Sequence, residues 1–493
     1  MLIVAYIIMK LITKKFTINA KKTTAEEAVL KLFKEASVRV PAYKDFLKHS
    51  GINANLIRTI DDFKQLPVVD KKNYLTRYPL ADLCWDGTLQ HSKIISVSSG
   101  STGEPFFWPR GDWQDREGVQ LHARLYEEIF EADKKSTLVV VCFSMGTWIA
   151  GSYTTTSSLG AVNLGLKLNL VTPGIEKEEA VKAIKHLGSQ YEQIIIAGYP
   201  PFTKDILDEG RRQGIRWSRM NVKFMWAGEA FSEEWRDYVL HQVGSKDPFR
   251  SGINIYGSAD AAMLGHETPV SILLRRILNR RPALRQRVFG SEVLPSILQF
   301  DPMSRYFESV EREVVFSAYS GIPLLRYNIH DVGGILTYSE GVEIAGTAFQ
   351  EGIDKYDIDV QPWKMPFIYL NGRKDFTATI YAVNIYPENI KAALVDPKMR
   401  GWVTGKFTMA TRNRDDMDQY FEINIEMAKG IHPEPDYNNI ASHTLITKLI
   451  KLNGEYRKLH SAIGKKAEPV VHLIEFGNNE HFAKGVKHRW VKS

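Results

Sequence analysis

The chain has 493 residues, 44% hydrophobic and 25% charged; this excludes a disordered or fibrous protein and exceeds what one core serves, so a large domain with a smaller companion is expected. Its net charge of +7 is spread over interspersed acids and bases, which points away from a nucleic-acid groove and leaves an anionic substrate or a membrane surface open. Cys84 and Cys142 stand in unrelated contexts, which excludes a disulfide framework and a cysteine-rich metal site and fits a reducing cytoplasm.

In chain order, Met1 to Met9 is apolar and Lys10, Lys14 and Lys15 follow, the reverse of a secretory signal and too short to span a bilayer. Residues 1–18 read as an amphipathic strand or helix packed on the body, with a peripheral membrane foot as the alternative. Thr24-Ala25-Glu26-Glu27 is a capping box, and Val29, Leu32, Phe33 and Ala36 recur at helical spacing until Pro41, so a helical subdomain over about residues 19–90 is expected. Short helices follow around Leu66-Pro67. Ile94 and Ile95 then lead into Ser98-Ser99-Gly100-Ser101-Thr102-Gly103, and Phe106-Phe107-Trp108 comes after. This reads as strand, loop, strand. Consecutive N–H groups, hydroxyls and glycines form a concave donor surface suited to phosphate oxygens, while a solvated Ser/Gly hairpin is the other reading of the loop alone. The segment is neither G-x-x-x-x-G-K-[ST] nor G-x-G-x-x-G, which disfavours an ordinary NTPase or dinucleotide fold.

Trp113 to Phe130 is helical in pattern. Apolar runs at Leu138–Phe143, Gln193–Ala197 and Val222–Trp226 then alternate with helical ones at Glu176–Leu187 and Phe202–Gly214, predicting an α/β domain built on parallel sheets flanked by helices. Ligands in such sheets sit at the carboxyl ends of strands. Three loops fall there: Ser144-Met145-Gly146-Thr147-Trp148, Gly198-Tyr199-Pro200-Pro201 and Ala227-Gly228-Glu229. Trp148 and Tyr199 are the candidate aromatic walls of a substrate pocket, and Gly228 the point of close backbone approach. Past Gly372 the pattern becomes that of a small α+β module: a helix at Pro387–Val395, alternation of Ile423, Ile425 and Met427 with Glu422, Asn424 and Glu426, a helix at Ile440–Leu452 and a strand at Val470–Ile474.

With these pieces placed, the chain resembles the adenylate-forming enzymes of the phenylacetate-CoA ligase type, the group that includes the CapK proteins of polysaccharide loci. Ser98-Ser99-Gly100-Ser101-Thr102-Gly103-Glu104-Pro105 resembles the family phosphate loop S-S-G-T-T-G-K-P. Ala227-Gly228-Glu229 is similar to its adenine-pocket turn, and Tyr256-Gly257-Ser258-Ala259-Asp260 to Y-G-x-T-E. Arg326 to Asp331 occupies the place of the ribose-binding segment. Gly372-Arg373-Lys374-Asp375 matches the hinge motif G-R-x-D, which sets domain bounds of 1–374 and 375–493 with Asp375 as hinge, and Val383 to Pro387 resembles the V-N-V-F-P that follows.

The resemblance implies ATP and Mg²⁺ as cofactors, a small carboxylic acid as substrate and formation of an acyl-adenylate. CoA, or an amine or hydroxyl of another metabolite, would be the acceptor, and a homodimer fits the family. Ser98 to Gly103 would cradle phosphates, Tyr256 would stack on adenine, Asp331 and Arg373 would hold the ribose, and Asp260 would bind the metal. Several positions depart from the family pattern. Glu104 stands where the loop has Lys, Ala259 lacks the expected hydroxyl, and Ala382 replaces a glycine beside the pantetheine path. In Gly485-Val486-Lys487-His488-Arg489, Val486 takes the place of the catalytic lysine, so Lys487 or Lys484 is the candidate substitute. His266-Glu267 has no nearby cysteine, so no zinc is expected. A degenerate relative that binds nucleotide or ligand without turnover is the competing reading.

Overall fold

The computed structural model describes residues 24–98, 106–291, 294–373, 378–478 and 482, at 373 the main chain alone. The strand or helix expected at 1–18 lies outside them. Contacts divide the chain into two compact units, Met1–Ser98, Phe107–Gly198 and Ile206–Gly372 in one and Ser99–Phe106, Tyr199–Asp205 and Arg373–Ser493 in the other. No helix among the described residues is long and apolar enough to cross a membrane.

The capping box forms as read. Thr24 accepts from the Glu27 amide and Glu27 returns the bond, starting a helix over Ala25–Arg39 whose buried face is Val29, Leu32, Phe33 and Ala36. Pro41 opens a second helix, Pro41–His49, because proline at a first helical position gives up no bond. The Phe33 ring meets Tyr43 at 6.2 Å and Phe63 at 6.1 Å, both edge-on, and these rings form the core of the helical segment.

The large unit is built on an eleven-stranded sheet. From one edge the strands are Leu168–Val171, Thr137–Cys142, Gln193–Gly198, Val222–Ala227 and Gly252–Ser258, all mutually parallel. Thr137–Cys142 and Gln193–Gly198 are buried at every position, as strands covered on both faces must be. Beyond Gly252–Ser258 the sheet continues through Ala262–His266, Ser296–Gln299, Phe367–Arg373, Leu324–Leu336, Glu313–Ala318 and Arg305–Val310. Here the pairing changes sense and the sheet becomes mixed: Gly252–Ser258 with Ala262–His266, Ala262–His266 with Ser296–Gln299, Ser296–Gln299 with Phe367–Arg373, Leu324–Leu336 with Glu313–Ala318 and Glu313–Ala318 with Arg305–Val310 are all antiparallel. Connections are the reason. Arg305–Val310 and Glu313–Ala318 are joined by Glu311 and Arg312, with φ of +51° and +66°, a two-residue hairpin turn that forces antiparallel pairing.

In the small unit Val403–Asn413 pairs antiparallel with Gln419–Met427, which pairs parallel with Val470–Ile474. Helices Pro387–Leu394, Pro435–Leu452 and Gly454–Ile463 accompany the sheet. Ile423, Ile425 and Met427 are fully buried, but so, nearly, are Asn424 and Glu426. Glu426 tolerates this through Thr404 Oγ1 at 2.8 Å and Lys406 Nζ at 3.2 Å. The strand is therefore covered on both faces where alternation predicted one.

Under the large sheet lies a buried ionic network. Arg236, 0% exposed, donates to Glu233, to Glu267 at 2.6 Å and to the Gly252 carbonyl at 2.6 Å, and Arg275 adds a second guanidinium on Glu233. Arg236 thus fastens the helix Glu233–Gln242 to the strand Gly252–Ser258. Burial works to raise the Glu233 pKa, but Arg236, Arg275 and Arg276 prevail and hold it down at about 2, against an ordinary 4.5. A depressed carboxylate stabilises the fold above its unfolded pKa and loses that contribution as pH falls through the folded one. Glu233→Gln should therefore cost about 3 kcal/mol at pH 7, and the deficit should shrink toward pH 2. Chemical denaturation of both proteins across that range measures it; a pH-independent deficit would refute the electrostatic origin.

Candidate functional site

Cys142, Gly198, Ala227 and Ser258 end four adjacent parallel strands, so the segments that follow them leave from one edge of the sheet. Gly228 has φ of +95°, a conformation glycine adopts without strain, and Asn254 Nδ2 donates to the Glu229 carbonyl at 3.1 Å, fixing the turn. Thr147 in the first loop accepts from the Val97 amide at 2.9 Å, which ties the approach to Trp148 to the strand Ser92–Ser98. Tyr199 accepts from the Thr203 amide at 2.9 Å at the start of the helix Pro200–Arg212, and this stretch is counted with the small unit.

The second cluster brings together residues far apart in the chain. Tyr256 donates its hydroxyl to Asp331 Oδ2 at 2.5 Å, and Tyr327 donates to Asp260 Oδ2 at 2.7 Å. Both carboxylates are largely buried, at 7% and 8% exposed. Each carboxylate is thus oriented by a phenol from a distant part of the chain. The turn carrying Asp260 is tight: Ser258 pairs with Ala262, Ser258 Oγ accepts from the Ala261 amide at 3.3 Å, and Ala262 has φ of +59°. From below, Arg305 donates to the Ala261 carbonyl at 2.9 Å while its guanidinium grips Glu117 with both Nη atoms, at 2.8 and 2.7 Å.

Ser98 ends the strand Ser92–Ser98. Its Oγ accepts from Trp108 Nε1 at 3.0 Å and from Lys71 Nζ at 3.3 Å, and Lys71 Nζ lies 5.7 Å from the Trp108 ring. Lys71 is a cation at the foot of this loop that sequence reasoning did not single out. Asp70 shapes its turn by accepting from the Lys72 and Asn73 amides, both at 2.7 Å. Val69 in turn bonds the Arg326 carbonyl at 3.0 Å and receives the Asn328 amide at 2.8 Å. His330, with φ of +64°, bridges Asp70 at 3.4 Å and Glu313 at 3.0 Å. The ribose-type segment and the Lys71 turn are therefore one assembly.

Ser99, Gly100, Ser101, Thr102, Gly103, Asp375, Lys484 and Lys487 lie outside the described residues, as does the Arg373 side chain; the Arg373 main chain ends the strand Phe367–Arg373. His266, 3% exposed, has Nδ1 on the Glu267 carbonyl at 2.9 Å and a pKa pushed by burial to about 4. The Glu267 carboxylate is held by Arg236 and by the Asn254 amide at 2.8 Å. Ala382, where a glycine was expected, has φ of +62°, and Tyr381 before it +47°.

No family model matches the sequence. The chain is 21% identical over 453 residues to the phenylacetate-coenzyme A ligase of Thermus thermophilus, covering 90% of this chain and 88% of that one. Among solved structures it is similar to 2-hydroxyisobutyryl-CoA ligase bound to 2-HIB-AMP and CoA in the thioesterification state, with a TM-score of 0.62 at 16% identity over 95% of this chain and 89% of the other. A postadenylation structure of that ligase gives a TM-score of 0.53 over 94% and 88%.

Gly257 tests the turn directly. A Cβ there would stand 2.8 Å from the Ala262 carbonyl oxygen, a backbone atom that cannot swing aside. Gly257→Ala should destabilise the large unit by about 1–3 kcal/mol and displace Asp260; a melting temperature and a nucleotide affinity equal to the parent's would remove the close approach from the site.

Proposed function

We propose, from the premise that this chain has the fold of the adenylate-forming ligases and a phenylacetate-CoA-ligase-like sequence, that it uses ATP to convert a carboxylic acid to an acyl-adenylate and passes the acyl group to CoA or to an amine or hydroxyl acceptor. The observation that carries this reading is the pairing of Asp331 with Tyr256 on the same assembly as Lys71 and Ser98. Asp331, oriented by the Tyr256 phenol, is the carboxylate for the ribose hydroxyls, and Tyr256 is the adenine-facing ring. Asp260, anchored by Tyr327, offers a hard oxygen to Mg²⁺ held with the phosphates. Ser98 to Gly103 form the phosphate cradle, Ala227, Gly228 and Glu229 the adenine-side turn with Gly257 and Ser258 below it, and Trp148, Tyr199 and Gly228 the acid pocket.

Adenylation transfers an adenylyl group to a carboxylate, so two anionic groups meet and nearby cations lower the barrier. The loop supplies Glu104 in place of Lys, and Val486 stands at the usual catalytic position. In this reading Lys71 neutralises phosphate charge from the large unit, and Lys487, or Lys484, arrives with the small unit about a hinge at Asp375, with Arg373 toward the ribose. Buried His266 and the fully engaged Glu267 support a site without zinc. Cys84 and Cys142 are free and buried, which suits a cytoplasmic setting, and a homodimer completes the picture. The Glu104 and Val486 departures favour one rival, a relative that binds nucleotide without turnover.

ATP–pyrophosphate exchange with a mixture of carboxylic acids separates the two. Lys71→Ala and Lys487→Ala should each slow exchange by about 100-fold, the range of single electrostatic donors. Asp331→Ala should weaken ATP and AMP alike, because both carry the ribose. Absence of exchange in the parent, with ATP still bound, would establish the rival; unaltered AMP binding by Asp331→Ala would remove that residue from the site.

A further inference from the structure

The strand Leu324–Leu336 does not run evenly against Glu313–Ala318. Asn328 stands opposite Val315 and Val332 opposite Glu313, so Ile329, His330 and Asp331 together face Val314 alone. This is a bulge, the kind of irregularity that re-aims a side chain beside a site. Here it carries Asp331, whose carboxylate accepts from Tyr256 OH at 2.5 Å.

His330, at the centre of the bulge, has φ of +64°, a conformation that glycine takes without strain and histidine does not. Strain of this kind, held in place by its surroundings, points to a task for the side chain. What glycine would lack is the ring. Its Nδ1 lies 3.0 Å from Glu313 Oε2 on the neighbouring strand, and its Nε2 lies 3.4 Å from Asp70 Oδ2 in the turn that precedes Lys71. Asn328 braces the same point: its Oδ1 accepts from the His330 amide at 2.7 Å, and its Nδ2 donates to the same Glu313 oxygen at 2.7 Å. Glu313 is 5% exposed, so the ring is anchored to the body of the sheet at one end and to the turn at the other.

Asp70 carries the connection to Lys71. Its Oδ1 accepts from the Lys72 and Asn73 amides, so the carboxylate that His330 holds is the one that shapes the turn. The main-chain bonds of Val69 attach this turn to the strand. A turn attached at one residue can still pivot, and His330 grips it at the next. Lys71 Nζ then reaches Ser98 Oγ at 3.3 Å.

We propose that His330 is a positioning residue of the nucleotide site: its ring locks the bulge that aims Asp331 to the turn that carries Lys71, which sets the ribose and phosphate ends of one nucleotide at a fixed spacing. The proposal rests on the nucleotide binding described under the proposed function and does not depend on turnover. Two contacts joined rigidly bind one ligand together, whereas a loose connection must be ordered at the expense of affinity.

Direct binding of ATP and of adenosine to the full chain tests this. Adenosine has the ribose without the phosphates, so the ratio of the two affinities isolates the phosphate end. His330→Gly relieves the backbone as it removes the ring; it should leave the melting temperature within a few degrees of the parent's and lower the preference for ATP over adenosine by about tenfold. Lys71→Ala should lower the preference by a similar factor. The two together should do little more than either alone, because both break one linkage. His330→Asn tolerates the left-handed backbone but is too short to reach both carboxylates, so it should match His330→Gly and serves if the glycine variant does not fold. An unchanged preference, whether both affinities fall or neither does, would show that the ring does not position Lys71. Additive effects of His330→Gly and Lys71→Ala would show that the two act separately. Either result overturns the proposal and leaves nucleotide binding standing; failure of the parent to bind ATP would overturn the proposed function as well.

Discussion

Two main-chain hydrogen bonds, from the Val69 amide to Arg326 and from the Asn328 amide to Val69, hold the candidate site together. They close a loop between an early turn and a late strand. Closure costs entropy once, and each further bond across the junction then forms almost intramolecularly. His330 reaching Asp70 and Lys71 reaching Ser98 are bonds of this kind. The cationic group beside the phosphate-type loop is therefore available only in the fully assembled large unit, and local unfolding of the helical segment removes it.

Around that junction the backbone departs from relaxed geometry. Ala262, Arg326 and His330 all have positive φ, a conformation that costs non-glycine residues about 1–2 kcal/mol. Such residues persist where neighbours over-determine them. Arg326 is held by Glu308 at 3.1 Å and by carbonyls of the helical segment; Ala262 is held between Ser258 and the Arg305–Glu117 pair. That pair is itself weak evidence of stability, since burying two charges consumes most of their attraction. Its value here is positional: a bidentate grip allows one orientation, and Arg305 transmits it to the carbonyl next to Asp260.

What the sequence discloses follows how local each signal is. The Thr24 box, the runs at Leu138 and Ile194, and the helices ending near Leu187, Leu394 and Leu452 were legible because each carries its own pattern. The helix Ile149–Asn163 was not. Its Ser, Thr and Gly content reads as loop, and tertiary contact overrides that preference by packing small residues and hydroxyls against Asp112–Glu128. The antiparallel half of the sheet escaped for a related reason: Glu313–Ala318 is buried throughout, and an apolar run does not declare its direction. In the site, Tyr256, Asp260 and Asp331 stood out through their motifs. Lys71 had no motif, and its meaning comes only from the long-range bonds of Val69; the Asp70 and Asn73 side chains signalled a turn but not its destination.

Ala382 has a consequence for how this protein would change under selection. Its left-handed backbone carries a penalty in every folded molecule that glycine alone escapes. A population of variants sorted only for heat resistance, with no regard to which acceptor is used, would enrich glycine at this position. Thermal selection would thus drift the loop back toward the residue its relatives are expected to carry, and any narrowing of the acceptor path that the methyl group imposes would be lost as a by-product.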